Sequence, residues 1–302
     1  MQRLLLAVAI MAAVTASPAV AADLTGTLQK INDSGTIVLG YRQASPPFSF
    51  IDKDKQPRGY SIDLCLRVVE AAKQKLARPD LTIKYVPLTA EDRLAKVAAG
   101  TVDIECGNTT NALSFEEQVD FTNLTFITGA SLLVPAGSSI QSVGDLGGKR
   151  VSVVAGTTTE MSLRDQLKQG MIDAKAIQVK DHDQGIKMLE KGEVDAHAGD
   201  QIVLVGLARA ANDPNKFTIA PELFTYEPYA LPVRRNDADF RLVANRVLAQ
   251  LYRTGQIAQV YDKWFGDWGG RPSRLLLAMY VLNGLPEGEN NLRVRPDVGS
   301  DR

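Results

Sequence analysis

The chain has 302 residues, 45% hydrophobic and 23% charged, with a formal net charge of −1. That length holds about two domains of ordinary size, and the composition is that of a soluble globular protein. With charges nearly balanced, nothing global directs the chain to nucleic acid or an anionic membrane.

The N-terminus reads as an export signal. Arg3 supplies a positive start, Leu4 to Val14 a short apolar run, and Ala19, Val20 and Ala21 a small-x-small cleavage site. The run falls short of the ~20 apolar residues that a membrane span needs, and no later segment reaches that length. Residues 1–21 are therefore expected to be removed, leaving a periplasmic protein that begins near Ala22.

Thr36 to Tyr41 is apolar and β-branched, so a strand is expected there. The tandem prolines Pro46 and Pro47 make the next stretch an irregular loop. A helix is expected from Gly59-Tyr60-Ser61 to about Leu76, with Ile62, Leu66, Val69 and Ala72 on one face. A strand follows at 81–86. Thr89 and Asp92 form a capping pattern for another helix. Further strands are expected at 102–106 and 129–134. After Pro135 the chain crosses into a second lobe, with strands at 150–154, 176–179 and 196–198. Helices are expected at 157–169, 183–191 and 201–212. A strand at 229–233 returns the chain to the first lobe, where helices from Asp237 to Tyr252 and through Phe265 would pack. Leu275 to Leu282 is apolar, and Asn290 onward reads as a solvated tail.

One pattern occurs twice. Gly100, Val102 and Asp103 follow a helix and lead to Cys106-Gly107; Gly192, Val194 and Asp195 lead likewise to Gly199-Asp200. Each reads as a helix end, a Gly stop and a short strand. The copies lie too far apart for a solenoid, whose period is ~20–50 residues. They point to two similar α/β lobes, and a cleft between lobes is a common ligand site. The βαβα order implies mainly parallel sheets flanked by helices.

Three groups could hold a ligand. Asn108, Thr109 and Thr110 sit where a parallel strand ends, suited to a carboxylate or simply a polar loop. Gly156, Thr157 and Thr158 open a helix whose free amides favour an anion; Thr157 and Glu160 can also satisfy that helix as a capping box. Asp200 could pair with an ammonium or cap the helix at Gln201. The basic candidates are Arg42, Arg93 and His182, each equally readable as a surface group, while His197 is expected inside its lobe. Cys65 and Cys106 could form a disulfide or remain separate buried thiols. Neither a CxxC spacing nor a catalytic signature stands out, and no metal or cofactor is expected.

Together these residues resemble the periplasmic solute-binding proteins of ABC importers for polar amino acids, and most of all the glutamate/aspartate-binding group. The likeness covers roughly residues 26 to 265. It is carried by Leu39 to Arg42, Pro47 to Phe50, Gly59 to Leu64, Glu105 to Gly107, Thr109 to Asn111, Gly156 to Thr158, Lys180 to His182, and Trp264-Phe265. The resemblance implies an α/β, type II periplasmic binding-protein fold with two lobes and a two-strand hinge. Lobe 1 would take residues 27–133 and 231–268 and lobe 2 residues 135–229, with a partly disordered extension over 270–302.

By the same resemblance, Asp200 would take an α-ammonium, and Thr110 and the amides around Thr158 an α-carboxylate. Arg42, Arg93 and His182 would surround a side-chain carboxylate. Tyr229 would lie at the hinge, and Phe48 would wall the cleft. Phe115 departs from the pattern, because the family usually has an Arg there that clamps the α-carboxylate. Ala90 and Asn108 stand where the acidic-amino-acid group often has Ser. The implied protein is a monomeric, non-enzymatic carrier of glutamate or aspartate that serves an inner-membrane ABC permease. Alternatives are another amino acid or organic anion, a sensory module, or a dehydratase-like enzyme using Glu105 or Glu227 as an acid.

Overall fold

Short β-branched runs make the buried strands, and Gly and Pro punctuate them. The computed structural model describes residues 24–211, 213–268 and 271–288. The expected signal, 1–21, and the tail from 289 lie outside these residues. The strands are β1 (Thr36–Tyr41), β2 (Ala44–Ser45), β3 (Ser49–Ile51), β4 (Pro57–Arg58), β5 (Thr82–Pro87), β6 (Ile104–Glu105), β7 (Val119–Phe121) and β8 (Phe126–Thr128). They continue as β9 (Ala130–Pro135), β10 (Arg150–Val154), β11 (Lys175–Val179), β12 (Ala196–Asp200), β13 (Phe217–Ile219), β14 (Glu227–Tyr229) and β15 (Pro232–Arg234).

Two five-stranded sheets have the same plan. One runs β5-β1-β6-β15-β7 and the other β11-β10-β12-β9-β13. Each has a parallel core of three strands, extended on one side by an antiparallel strand that in turn pairs antiparallel with a last short strand. β7 and β13 are only three residues long, too short for a periodicity to register. The expected strand at 229–233 is two strands, because Pro232, which lacks an N–H, opens a new one. β8 and β14 pair as a separate two-stranded hinge between the sheets.

The doubled Gly-x-Val-Asp pattern has the same job in both lobes. Gly100 and Gly192 take left-handed φ values of 68° and 69°. Three residues on, Asp103 accepts a hydrogen bond from the Val38 amide at 2.8 Å, and Asp195 one from the Arg150 amide at 2.8 Å. Each carboxylate thus ties the approach to its strand to the neighbouring parallel strand. A cation completes each knot. Lys30 donates to Asp103 at 2.7 Å and to the Gly100 carbonyl at 2.8 Å. Arg150 donates to Asp195 at 3.3 Å and to the Gly192 carbonyl at 2.9 Å.

Cys65, in the helix Tyr60–Leu76, is bonded to Cys106 at the end of β6, 41 residues away. This bond pins the loop that follows β6. Phe48, expected to wall the cleft, is instead fully buried in an aromatic cluster behind the hinge. Its ring centroid lies 5.0 Å from Phe126 and 5.1 Å from Tyr229, edge to face. Such packing is worth about 0.5–1.5 kcal/mol per pair beyond burial, which draws the ring into the core. Beyond the second lobe's return, the apolar 275–282 stretch forms the helix Arg274–Asn283, which buries Leu276, Met279 and Tyr280.

A Cβ added at Gly100 or Gly192 would meet nothing within 4 Å. Gly100→Ala and Gly192→Ala should therefore each cost about 1 kcal/mol from the left-handed backbone alone. Urea unfolding of each variant checks this; an unchanged midpoint would contradict it.

Candidate functional site

The carboxyl ends of the parallel strands in both lobes converge on one cavity, as open α/β sheets favour. From the first lobe, the end of β1 supplies Arg42, the helix Arg93–Ala98 supplies Arg93, and the loop after β6 supplies Asn108, Thr109 and Thr110. From the second, the loop after β10 and the helix Thr158–Gln169 supply Thr157, Thr158 and Thr159. His182 opens the helix His182–Glu190, and Asp200 ends β12.

The lobes touch directly across this cavity. Arg93 donates to the Gly156 carbonyl at 3.2 Å, and Asn108 to the Asp200 carboxylate at 3.4 Å. The Thr158 and Thr110 hydroxyls lie 3.3 Å apart. The cavity volume is about 20 Å³, room for about one water. The cleft is shut, and an amino acid could enter only if the lobes part.

One end is basic. Arg42 is 6% exposed, and its guanidinium makes no hydrogen bond or ion pair with any described residue. Burial lowers its pKa, opposed by the nearby carboxylate of Glu105. Arg93 is anchored: it donates to Thr109 at 2.7 Å, and Thr109 donates to Glu105 at 2.6 Å. Arg93 also donates to the carbonyl of Ala90. Burial brings Arg93 down to about 10, with Glu105 opposing and Arg42 adding. Phe115 does not line the cavity. Its half-buried ring packs in the first lobe, 5.4 Å from the Arg93 guanidinium. His182 is buried rather than in a surface loop, and burial holds its pKa well below the usual value.

The other end is acidic. Asp200 stands at the N-cap of the helix Gln201–Ala210 but makes no side-chain bond to it. Its carboxylate turns into the cavity and accepts from Tyr229 and, at 2.9 Å, from Thr159. Thr157 does cap its own helix, accepting from the Glu160 amide at 3.0 Å, while Glu160 accepts from the Gly156 amide at 2.8 Å. Glu227 is 1% exposed and accepts from Thr158 at 2.7 Å and from Thr110. Among the described residues, neither Asp200 nor Glu227 has a cationic partner. Burial, then Glu227, push Asp200 up to about 7, against its hydrogen bonds. Tyr229 is held well above the usual tyrosine value, chiefly by burial, and stays a donor. The carbonyl oxygen of Asn108 is buried without a partner.

Glu227 and Thr159 were not among the ligand-contact expectations. The signal for Glu227 was available: it is two residues before Tyr229 in a strand, and side chains i and i+2 share a face.

The model of the bacterial extracellular solute-binding proteins, family 3, matches residues 37–267. The chain belongs to that family. It is 40% identical to the L-glutamate/L-aspartate-binding protein of Pseudomonas aeruginosa, over 86% of this chain and 87% of the relative. It is 34% identical to the glutamate/aspartate import solute-binding protein of Escherichia coli, over 86% of each. Among solved structures, an ancestral arginine-binding protein bound to arginine matches with a TM-score of 0.69 at 26% identity, covering 76% of this chain and 98% of that one. An ancestral amino acid-binding protein, a precursor of cyclohexadienyl dehydratase, matches with a TM-score of 0.67 at 26% identity, covering 80% and 100%. The type II periplasmic binding-protein fold is shared with these family members.

Asp200 has a raised folded pKa. The stability it contributes is fully present below the unfolded value near 4 and is lost as pH rises through about 7. An Asn cannot ionise. Asp200→Asn should therefore gain stability relative to wild type as pH rises from about 5 to about 8. Denaturant titrations of both proteins across that range would show it; a constant difference would contradict the assignment.

Proposed function

We propose that this family member captures an acidic amino acid, glutamate or aspartate, in the periplasm and delivers it to an inner-membrane ABC permease. One observation carries the reading: a buried, unpartnered Arg42 guanidinium faces a carboxylate end that has no cation. A zwitterion with a distal carboxylate answers both. Its ammonium fits Asp200 and the free Asn108 carbonyl oxygen. Its side-chain carboxylate fits the fork of Arg42, where charge-assisted paired bonds form. The names of the relatives support the same ligand class.

The α-carboxylate end is weaker. With Phe115 in place of a clamping Arg, that group is left to the Thr110 and Thr158 hydroxyls and the helix amides beside Thr158. Those hydroxyls hold Glu227 in the closed form, so they must turn to the ligand. A missing charged hydrogen-bond partner costs on the order of 1.5–3 kcal/mol, about ten- to a hundredfold in affinity.

Binding needs no covalent chemistry. The lobes rotate about β8 and β14, and a ligand that touches both lobes favours closure by its differential affinity for that state. The chain acts as a monomeric carrier rather than an enzyme.

In a thermal-shift screen, glutamate and aspartate should raise the melting temperature, since a ligand at about 100 times its Kd adds about 2.7 kcal/mol. Arg42→Ala should weaken them by about tenfold or more. Shifts with neutral amino acids alone would overturn the acidic assignment. Turnover of a candidate acid at an enzyme-like rate would replace the carrier by an enzyme.

A further inference from the structure

His182 is the outer end of a buried chain. Its Nδ1 lies 2.9 Å from Nε2 of His197, and Nδ1 of His197 lies 2.9 Å from the Ser152 hydroxyl. Ser152 and His197 are fully buried and paired in register on the parallel strands β10 and β12. Two glycines make room for the rings. A Cβ on Gly185 would stand 2.3 Å from Nδ1 of His197, and one on Gly199 3.1 Å from Cε1 of His182.

Both rings are neutral at pH 7. Burial holds His182 well below its usual value and His197 at about 4, the latter opposed by the Ser152 backbone carbonyl rather than by its hydroxyl. A neutral imidazole carries one N–H, so the chain must have a direction. Ser152 decides it. Besides His197, its hydroxyl has the Ala196 carbonyl at 3.5 Å, well beyond ordinary O–H···O range. Its hydrogen therefore goes to Nδ1 of His197. The N–H of His197 is then on Nε2 and donates to Nδ1 of His182. That leaves the N–H of His182 on Nε2, which bonds to no described residue. The opposite direction would strand the Ser152 hydrogen in a buried site, at a cost of about 1–3 kcal/mol.

We propose that Ser152 and His197 are positioning residues that lock His182 as a hydrogen-bond donor toward the cleft, so that this wall selects an acceptor oxygen and rejects an ammonium. The ligand's identity rests on the function proposed above; the direction of the chain stands on the protein alone. The chain also assigns the two cleft ends opposite hydrogen-bonding character. His182 offers a donor beside Arg42, while Asp200 and Asn108 offer acceptors at the far end.

The test is ¹⁵N NMR of the histidine side chains in unliganded protein, with glutamate titrations by calorimetry. In wild type both rings should carry the proton on Nε2. Ser152→Ala should release the lock, mix the His182 tautomers and weaken glutamate about threefold to tenfold. His197→Gln keeps an amide N–H where Nε2 stood, so it should preserve the His182 tautomer with or without Ser152. An Nδ1-protonated His182 in wild type would overturn the proposal, as would a tautomer unmoved by Ser152→Ala. If wild type shows the Nε2 pattern but does not bind glutamate, the ligand assignment falls and the histidine chain stands.

Discussion

A guanidinium taken out of water costs several kcal/mol unless something answers its charge. Arg42 is buried at the end of β1; the nearby Glu105 carboxylate offsets part of its charge, but its guanidinium makes no hydrogen bond or ion pair with any described residue. Much of the surrounding geometry follows from that constraint. Arg93, a few residues along the chain from the neighbouring strand, is already occupied by Thr109 and two carbonyls. Its guanidinium joins the first lobe to Gly156, while that of Arg42 is, in the proposed function, left for the ligand. Across the cavity, Asp200 and Glu227 repel each other without a cation between them. The cleft is therefore basic at one end and acidic at the other, and in the proposed function closing two lobes over a zwitterion neutralises both ends at once.

The fold supplies that dipole by repetition with one difference. Both lobes use the same sheet order, and both tie their third parallel strand down with a Gly-x-Val-Asp knot. The strand ends then diverge in chemistry: hydroxyls and an amide after β6, a carboxylate at the end of β12. The hinge joins in, because alternation along β14 turns Glu227 and Tyr229 to the same side. Behind it the Phe48 cluster and the helix Arg274–Asn283, whose Tyr280 meets Tyr60 at 3.1 Å, brace the pivot.

Much of this was legible in the sequence. The Gly stops, the β-branched runs and the order of βα units point to two lobes, but the crossing was expected after Pro135 and β9 already pairs within the second sheet, a partnership that local pattern does not reveal. Arg42, Arg93, the Asn108–Thr110 loop, Thr157, Thr158, His182 and Asp200 all line one cavity. What local patterns could not show was partnership across long separations. Whether Asp200 caps its helix or faces the cavity depends on Tyr229, 29 residues away. Phe48 sits against rings from four other segments, so a Pro-Pro loop alone gave no sign of its burial. The link from His182 to Ser152 crosses two strands and needs glycines at 185 and 199 that carry no motif of their own.

The most direct test is a crystal structure of the protein with glutamate. The proposed binding mode predicts the side-chain carboxylate paired with the Arg42 guanidinium and the ammonium on Asp200, with Glu227 released from Thr110 and Thr158. A ligand that leaves Arg42 without contact, or that places its carboxylate at Asp200, would contradict it.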